Sequence, residues 1–88
     1  MLVPDIMKNA DLIYEIKMRS FENVKDFNKL CCTTDGTFDV VSGRYIVDGK
    51  SILGLFSLAL DKPLTVAANF KDEKSKAVFE EKIKEFKA

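Results

Sequence analysis

Ser51 is the residue whose setting most clearly suggests chemistry. It follows the turn-forming residues Asp48 and Gly49 and precedes an apolar run at 52–60. A serine in this setting caps a helix and holds its hydroxyl beside free backbone N–H groups, where the helix dipole stabilises an added phosphate. Two interpretations follow: Ser51 is a regulatory phosphorylation site, or it is a helix cap and nothing more.

The apolar run after Ser51 is harder to explain by packing alone. If one side of this helix meets a sheet, some of its large apolar side chains must face solvent, and an exposed apolar patch is a natural docking surface. The alternative is a short helix that the domain buries completely. We expect a surface for a protein partner built from Lys50, Ile52, Leu53, Leu55 and Phe56.

The chain lacks the residues on which most catalytic mechanisms depend. There is no histidine, which excludes nucleophilic triads that depend on one. Cys31 and Cys32 are the only cysteines and are adjacent, so they offer no zinc ligand set, and we expect reduced thiols rather than a strained disulfide. We therefore expect no catalytic residue, no metal, no cofactor and no enzymatic activity.

The segment from Gly43 to Ser51 partly matches the phosphate-binding-loop motif but does not fit it. Its two glycines are separated by five residues, whereas the phosphate-loop pattern has four between them. The intervening residues also alternate like a strand. We do not predict nucleotide binding at this segment.

Composition limits the class of partner and the location. The 88 residues carry 14 basic and 14 acidic side chains, so no overall field attracts a polyanion, and nucleic acid is not the expected partner. The longest apolar run, 52–60, is far shorter than the roughly twenty residues of a membrane span. The amino-terminal residues show no secretory signal. We expect a cytoplasmic protein with no membrane partner, and the sequence leaves its oligomeric state open.

Hydrophobic periodicity predicts the order βαββαβα. Alternation predicts strands at 11–18, 38–41, 45–47 and 64–70, and spacings of three and four predict helices from Phe21, at 52–59 and after Asp72. We expect Ser20, Ser51 and Asp72 to cap these helices. The inward helical residues are predicted to be Phe21, Val24, Phe27, Leu30 and Cys31 in the first helix and Val78, Phe79, Ile83 and Phe86 in the last.

These elements predict an α+β fold. Short hairpins favour a four-stranded antiparallel sheet, and three amphipathic helices can cover only one of its faces. The expected architecture is an open-faced two-layer sandwich with the other sheet face open to water. We expect a poorly ordered leader at 1–10 and a single domain at 11–88.

The element order, the chain length and the segment Lys50-Ser51-Ile52-Leu53-Gly54-Leu55-Phe56-Ser57-Leu58 resemble HPr, the phosphocarrier of the bacterial sugar phosphotransferase system. In many family members a closely similar segment opens the second helix, and its serine is the regulatory phosphorylation site. The resemblance implies the HPr fold and assigns that role to Ser51. It covers roughly residues 11–86 and is most specific around 43–64.

The same resemblance implies that the family's phosphoryl transfer is lost. The active-site histidine of HPr falls at Ser20, and the arginine that helps hold the phosphoryl group falls at Glu22. A serine phosphate ester is a stable, low-potential species, unlike a phosphorylated imidazole, and a carboxylate repels a phosphoryl dianion. The chain thus resembles a histidine-lacking, Crh-like divergent member, whose implied partners are a transcriptional regulator and HPr kinase.

Three functional hypotheses remain. The first is a non-catalytic HPr-like regulatory or adaptor protein, related to catabolite repression, that is switched by phosphorylation of Ser51. The second is a phosphocarrier that uses a nucleophile other than histidine. The third is a constitutive protein-binding module in which Ser51 acts only as a cap.

Overall fold

The computed structural model describes residues 10–58 and 60–88 and shows an α+β fold. The strands are β1 (Leu12–Ile16), β2 (Gly36–Ser42), β3 (Tyr45–Asp48) and β4 (Leu64–Phe70). The helices are α1 (Phe21–Cys32), α2 (Ile52–Phe56) and α3 (Glu73–Ile83), followed by a 3-10 turn at Lys84–Phe86. The predicted order βαββαβα and the α+β class are confirmed. The predicted leader at 1–10 lies, apart from Ala10, outside the described residues.

The four strands form one antiparallel sheet in the order β1-β4-β2-β3. Strand β4 lies between β1 and β2, with Val66 opposite both Tyr14 and Val40. A tight turn joins β2 to β3, and Gly43 lies in it with a φ of 59°. Strand β4 therefore joins β1 to the β2–β3 hairpin.

All three helices contribute to one core against one sheet face. Strand alternation directs Ile16, Phe38, Val40, Leu64 and Val66 into this core, which is why these strands alternate in sequence. Aromatic rings fill its centre: Phe38 stacks on Phe79 at 4.8 Å between centroids, and Phe70 contacts both. The helical members are Val24, Phe27, Leu30, Cys31, Leu55, Phe79 and Ile83, and Leu58 joins them from just beyond the end of α2.

Some predicted details of the helices are wrong. Phe21 and Val78 were expected to face inward, but their side chains are exposed. Phe21 is the first residue of α1, where the core no longer covers the helix, and Val78 points about 100° away from the buried Phe79 around α3. Helix α2 ends at Phe56 rather than near 59, and β1 ends at Ile16 although Met18 is also buried.

The opposite sheet face carries a mixture of polar and apolar side chains. No helix in the described part of the chain covers this face, in agreement with an open-faced sandwich. Asp39 of β2 lies directly opposite Asp48 of β3. Burial, and then the charge of Asp48, raise the pKa of Asp39. Like charges in directly opposed positions destabilise a strand pair.

Residues 86–88 pair with the outer edge of β1. The Lys17 N–H donates to the Phe86 carbonyl at 2.8 Å, and Ile16 forms a bridge with Lys87. The Arg19 guanidinium also donates to the Lys87 carbonyl at 2.8 Å. These contacts satisfy backbone groups that an edge strand would otherwise expose.

Two glycines provide a test of this sheet geometry. Gly36 has a φ of 153°, and a β-carbon there would lie 3.2 Å from the Phe70 Cα and closer still to the Asn69 carbonyl. Gly36→Ala should therefore lower the free energy of unfolding by about 3 kcal/mol, because strain and collision add. Gly43→Ala should cost only about 1 kcal/mol, since its positive φ is unfavourable but its surroundings are open. Equal losses in urea unfolding would contradict this geometry.

The opposed aspartates predict a pH-dependent stability. Because folding raises the pKa of Asp39, ionised Asp39 opposes folding at neutral pH, and this cost disappears as the pH falls through the folded-state pKa toward the unfolded one. Asp39→Asn should raise the urea midpoint at pH 7, with a gain that shrinks on acidification. Asp26→Asn, an equal charge change on an exposed part of α1, is the control. A gain that grows on acidification would contradict the assignment.

Candidate protein-docking surface

A hydrogen-bonded turn positions Ser51 at the end of β3. The Ser51 N–H donates to the Asp48 carbonyl at 2.9 Å. The Asp48 carboxylate also accepts the Lys50 N–H at 2.9 Å. Aspartate and glycine favour such turns, since the carboxylate bonds the backbone two residues on and glycine admits close approach. The turn signal in the sequence is confirmed.

Gly49 anchors this turn against the rest of the domain. It is buried, and a β-carbon there would lie 3.0 Å from the Cys31 Sγ and 3.1 Å from the Phe38 Cβ. Its N–H donates to the Phe38 carbonyl at 2.8 Å, and its carbonyl accepts from the Asn28 side chain at 3.2 Å. Contacts from α1 and β2 thereby fix where the following helix starts.

Ser51 caps α2, as the sequence predicts. Its hydroxyl oxygen accepts the Gly54 N–H at 3.2 Å, and the residue is exposed to solvent. Gly54 packs closely beneath it, since a β-carbon there would lie 3.2 Å from the Ser51 Oγ and 3.3 Å from the Val47 Cβ. Because α2 has only five residues, its dipole is short. The accessible hydroxyl, rather than the dipole, is the feature that admits modification.

The apolar residues of α2 divide between core and surface. Leu55 is fully buried and Ile52 is half-buried against the core. Leu53 is 80% exposed and Phe56 is 37% exposed. Leu55 was expected to contact a partner, but its burial makes it a core residue, so that expectation is corrected. Leu53 and Phe56 face outward as expected.

Phe21, at the start of α1, extends the apolar surface beyond α2. Its ring is 72% exposed and meets Phe56 edge to face, with centroids 5.7 Å apart. We call Phe21, Leu53 and Phe56 the docking surface. The sequence pattern assigned Phe21 to the core stripe and missed this role. The available signal was its position as the first residue of the helix, next to the cap.

A shallow cleft adjoins the docking surface at Phe21. Its volume is about 330 Å³, and its walls include Met18, Arg19, Ser20 and Leu60. The Arg19 guanidinium donates hydrogen bonds to the backbone carbonyls of Lys17 and Lys87. The cleft thus offers an apolar recess next to an exposed phenyl ring.

Ser20 and Glu22 lie together in the first turn of α1. The Ser20 hydroxyl oxygen accepts the Asn23 N–H at 3.1 Å, which confirms it as the helix cap. Both residues are exposed, and the Glu22 carboxylate is 3.7 Å from the Lys25 ammonium in a surface ion pair. A carboxylate in this turn opposes the negative charge of a phosphoryl group at Ser20.

Lys50 is directed away from the docking surface. Its ammonium lies 5.8 Å from the centroid of the Phe38 ring, and it shares a cleft with Asp39 and Asp48. These neighbours lie on the sheet side of the turn. The geometry places Lys50 next to Ser51 in the chain but not within the apolar cluster.

Cys31 and Cys32 lie close to the turn at Gly49 and Lys50, and their environments differ. Burial raises the pKa of the Cys31 thiol well above its usual range, which keeps it protonated and unreactive. Cys32 is exposed, and its Sγ is 3.6 Å from the Lys50 carbonyl. Across residues 10–58 and 60–88, no group of three or more metal-ligating side chains converges.

Comparison with family models, with curated proteins and with solved structures found no match to this chain. Within the described residues, no helix has the length and apolar character needed to cross a membrane.

Two leucines in α2 test the division between core and surface. Leu55→Ala should lower the free energy of unfolding by about 3 kcal/mol, since it leaves a cavity in the core. Leu53→Ala, the same substitution two residues earlier, should change it by less than about 0.5 kcal/mol, because the side chain is exposed. Chemical unfolding of both variants checks this. A large loss in Leu53→Ala would show that Leu53 packs against the domain.

Proposed function

We propose that this chain is a non-catalytic regulatory or adaptor protein of the HPr-like type. It binds a protein partner through the docking surface of Phe21, Leu53 and Phe56, and phosphorylation of Ser51 switches that binding. The partner is a transcriptional regulator, and HPr kinase is the modifying enzyme. The chain does not relay phosphoryl groups as a histidine phosphocarrier.

The observation that carries this proposal is the exposed apolar surface beside an accessible serine. Leu53 is 80% exposed and Phe21 is 72% exposed. Phe21 and Phe56 contact each other, and Leu53 precedes Phe56 by three residues on the same helix. Clustered exposed apolar side chains are characteristic of interaction sites. Ser51 lies in the turn that leads directly into this surface.

A phosphate at Ser51 changes the surface by charge. It adds roughly 1.5 to 2 negative charges at neutral pH within two residues of Leu53. If the partner presents arginines there, charge-assisted hydrogen bonds increase the affinity. If the partner presents only apolar groups, desolvation of the phosphate decreases it. In either case phosphorylation switches binding, because only one of the two forms, modified or unmodified, docks well.

The proposed absence of relay chemistry rests on the residues in the first turn of α1. Ser20 is the exposed hydroxyl there, and Glu22 supplies a negative charge in the same turn. A phosphate ester on serine lacks the transfer potential of a phosphorylated imidazole. A protein with this turn can recognise a partner but is poorly suited to donate a phosphoryl group onward.

Incubation with HPr kinase and ATP, followed by mass spectrometry, tests the switch. We expect one phosphate on Ser51, and none in Ser51→Ala. Leu53→Glu should slow the modification by on the order of tenfold, because the kinase must dock on the apolar surface. Val78→Glu places the same charge on an exposed apolar residue of α3 and should not slow it.

Each other outcome identifies a different function. An unmodified Ser51 removes the switch and leaves a constitutive binding module. Equal slowing by Leu53→Glu and Val78→Glu would show that the docking surface is not the recognised site. In a parallel reaction with labelled phosphoenolpyruvate and enzyme I, an acid-labile phosphoryl adduct on the chain would instead establish a phosphocarrier with another nucleophile.

A further inference from the structure

A separate cleft lies at the β2–β3 turn, where the chain leaves the end of α2. It has a volume of about 420 Å³, within the range of small-molecule sites. Arg44 contributes to its wall from the turn, Tyr45 from the start of β3, and Lys62 from the segment before β4. Neither Ser51 nor any residue of the docking surface lines it.

The two cations of this cleft are not neutralised by the protein. In the described part of the chain, neither Arg44 nor Lys62 has a carboxylate within ion-pair distance or a side-chain hydrogen bond. The residues that line the cleft include no aspartate or glutamate. Two unopposed positive charges on converging segments create a positive potential that attracts an anion.

The polar groups of the cleft include hydrogen-bond donors. Ser42 and Tyr45 each carry a hydroxyl, and no described protein group accepts a hydrogen bond from either. The Ser57 hydroxyl is already committed, since it donates to the Gly54 carbonyl at 2.6 Å. The Tyr45 ring is 72% exposed and is available for contact with an organic group.

We propose that this cleft binds a small organic phosphomonoester. Arg44 and Lys62 supply two positive charges for a phosphate dianion, and guanidinium and ammonium groups are the usual partners of phosphate. The Ser42 and Tyr45 hydroxyls donate hydrogen bonds to its oxygens. The organic part of the ligand packs on the Tyr45 ring. This site does not depend on the proposed function of Ser51.

Titration of the labelled protein, followed by amide NMR at constant ionic strength, tests the site with defined probes. Inorganic phosphate and phenyl phosphate should both produce saturable shifts at 42–45 and 57–62, and phenyl phosphate should bind more tightly. Phenol, which has the ring without the charge, should leave these signals unchanged at the same concentration. Binding should tighten as the pH rises through about 6, where the phosphomonoester becomes dianionic.

Matched variants distinguish a specific binding site from a general attraction of anions to surface lysines. The double variant Arg44→Gln with Lys62→Gln should weaken phenyl phosphate binding by at least about tenfold. The double variant Lys71→Gln with Lys87→Gln removes the same charge from exposed positions elsewhere and should not weaken it. Tyr45→Ala should lower the affinity for phenyl phosphate to the affinity for inorganic phosphate.

Three results would overturn this proposal. The first is a set of shifts spread over the lysines of the whole surface without saturation. The second is an equal loss of affinity in the two double variants. The third is phenol binding at the same residues with the strength of phenyl phosphate, which would show an apolar site with no role for the cations.

Discussion

The position of Ser51, the proposed switch, depends on the close packing of the backbone at Gly49 against Cys31 and Phe38. Just after β3, the backbone at Gly49 runs between α1 and β2 with little room for a β-carbon, since one would lie 3.0 Å from the Cys31 Sγ and 3.1 Å from the Phe38 Cβ. The backbone there is hydrogen-bonded to Phe38 and to Asn28 on opposite sides. Ser51 and α2 begin from this fixed point, so the exposed face of α2 has a defined orientation toward α1.

The seven phenylalanines show how the domain separates core from surface. Five of them, Phe27, Phe38, Phe70, Phe79 and Phe86, pack in or against the core, and their rings contact one another. The remaining two, Phe21 and Phe56, contact each other on the outside. Their pairing joins the start of α1 to the end of α2, so residues far apart in sequence form one apolar area. Leu55, on the inner side of α2, is buried and holds the apolar area formed by Phe21 and Phe56 in place.

Much of the fold was predictable from local signals. Alternation identified all four strands, and the caps Ser20, Ser51 and Asp72 all accept the expected backbone N–H. Such signals depend on neighbours in the chain, which a sequence displays directly. The exposure of Phe21 and the burial of Leu55 depend instead on where α2 crosses α1. That crossing is fixed by the approach at Gly49, a contact between distant segments that no periodicity encodes.

The pairing of β1 also affects how the chain folds. Its strand partner is β4, and the Asp11 N–H donates to the Asn69 side chain 58 residues away. Its other edge is completed by residues 86–88. Contacts over such separations carry a larger loop-closure entropy than contacts between neighbours in the chain. During synthesis, β1 must therefore remain without its strand partner until β4 has also left the ribosome, which makes it dependent on protection from premature association.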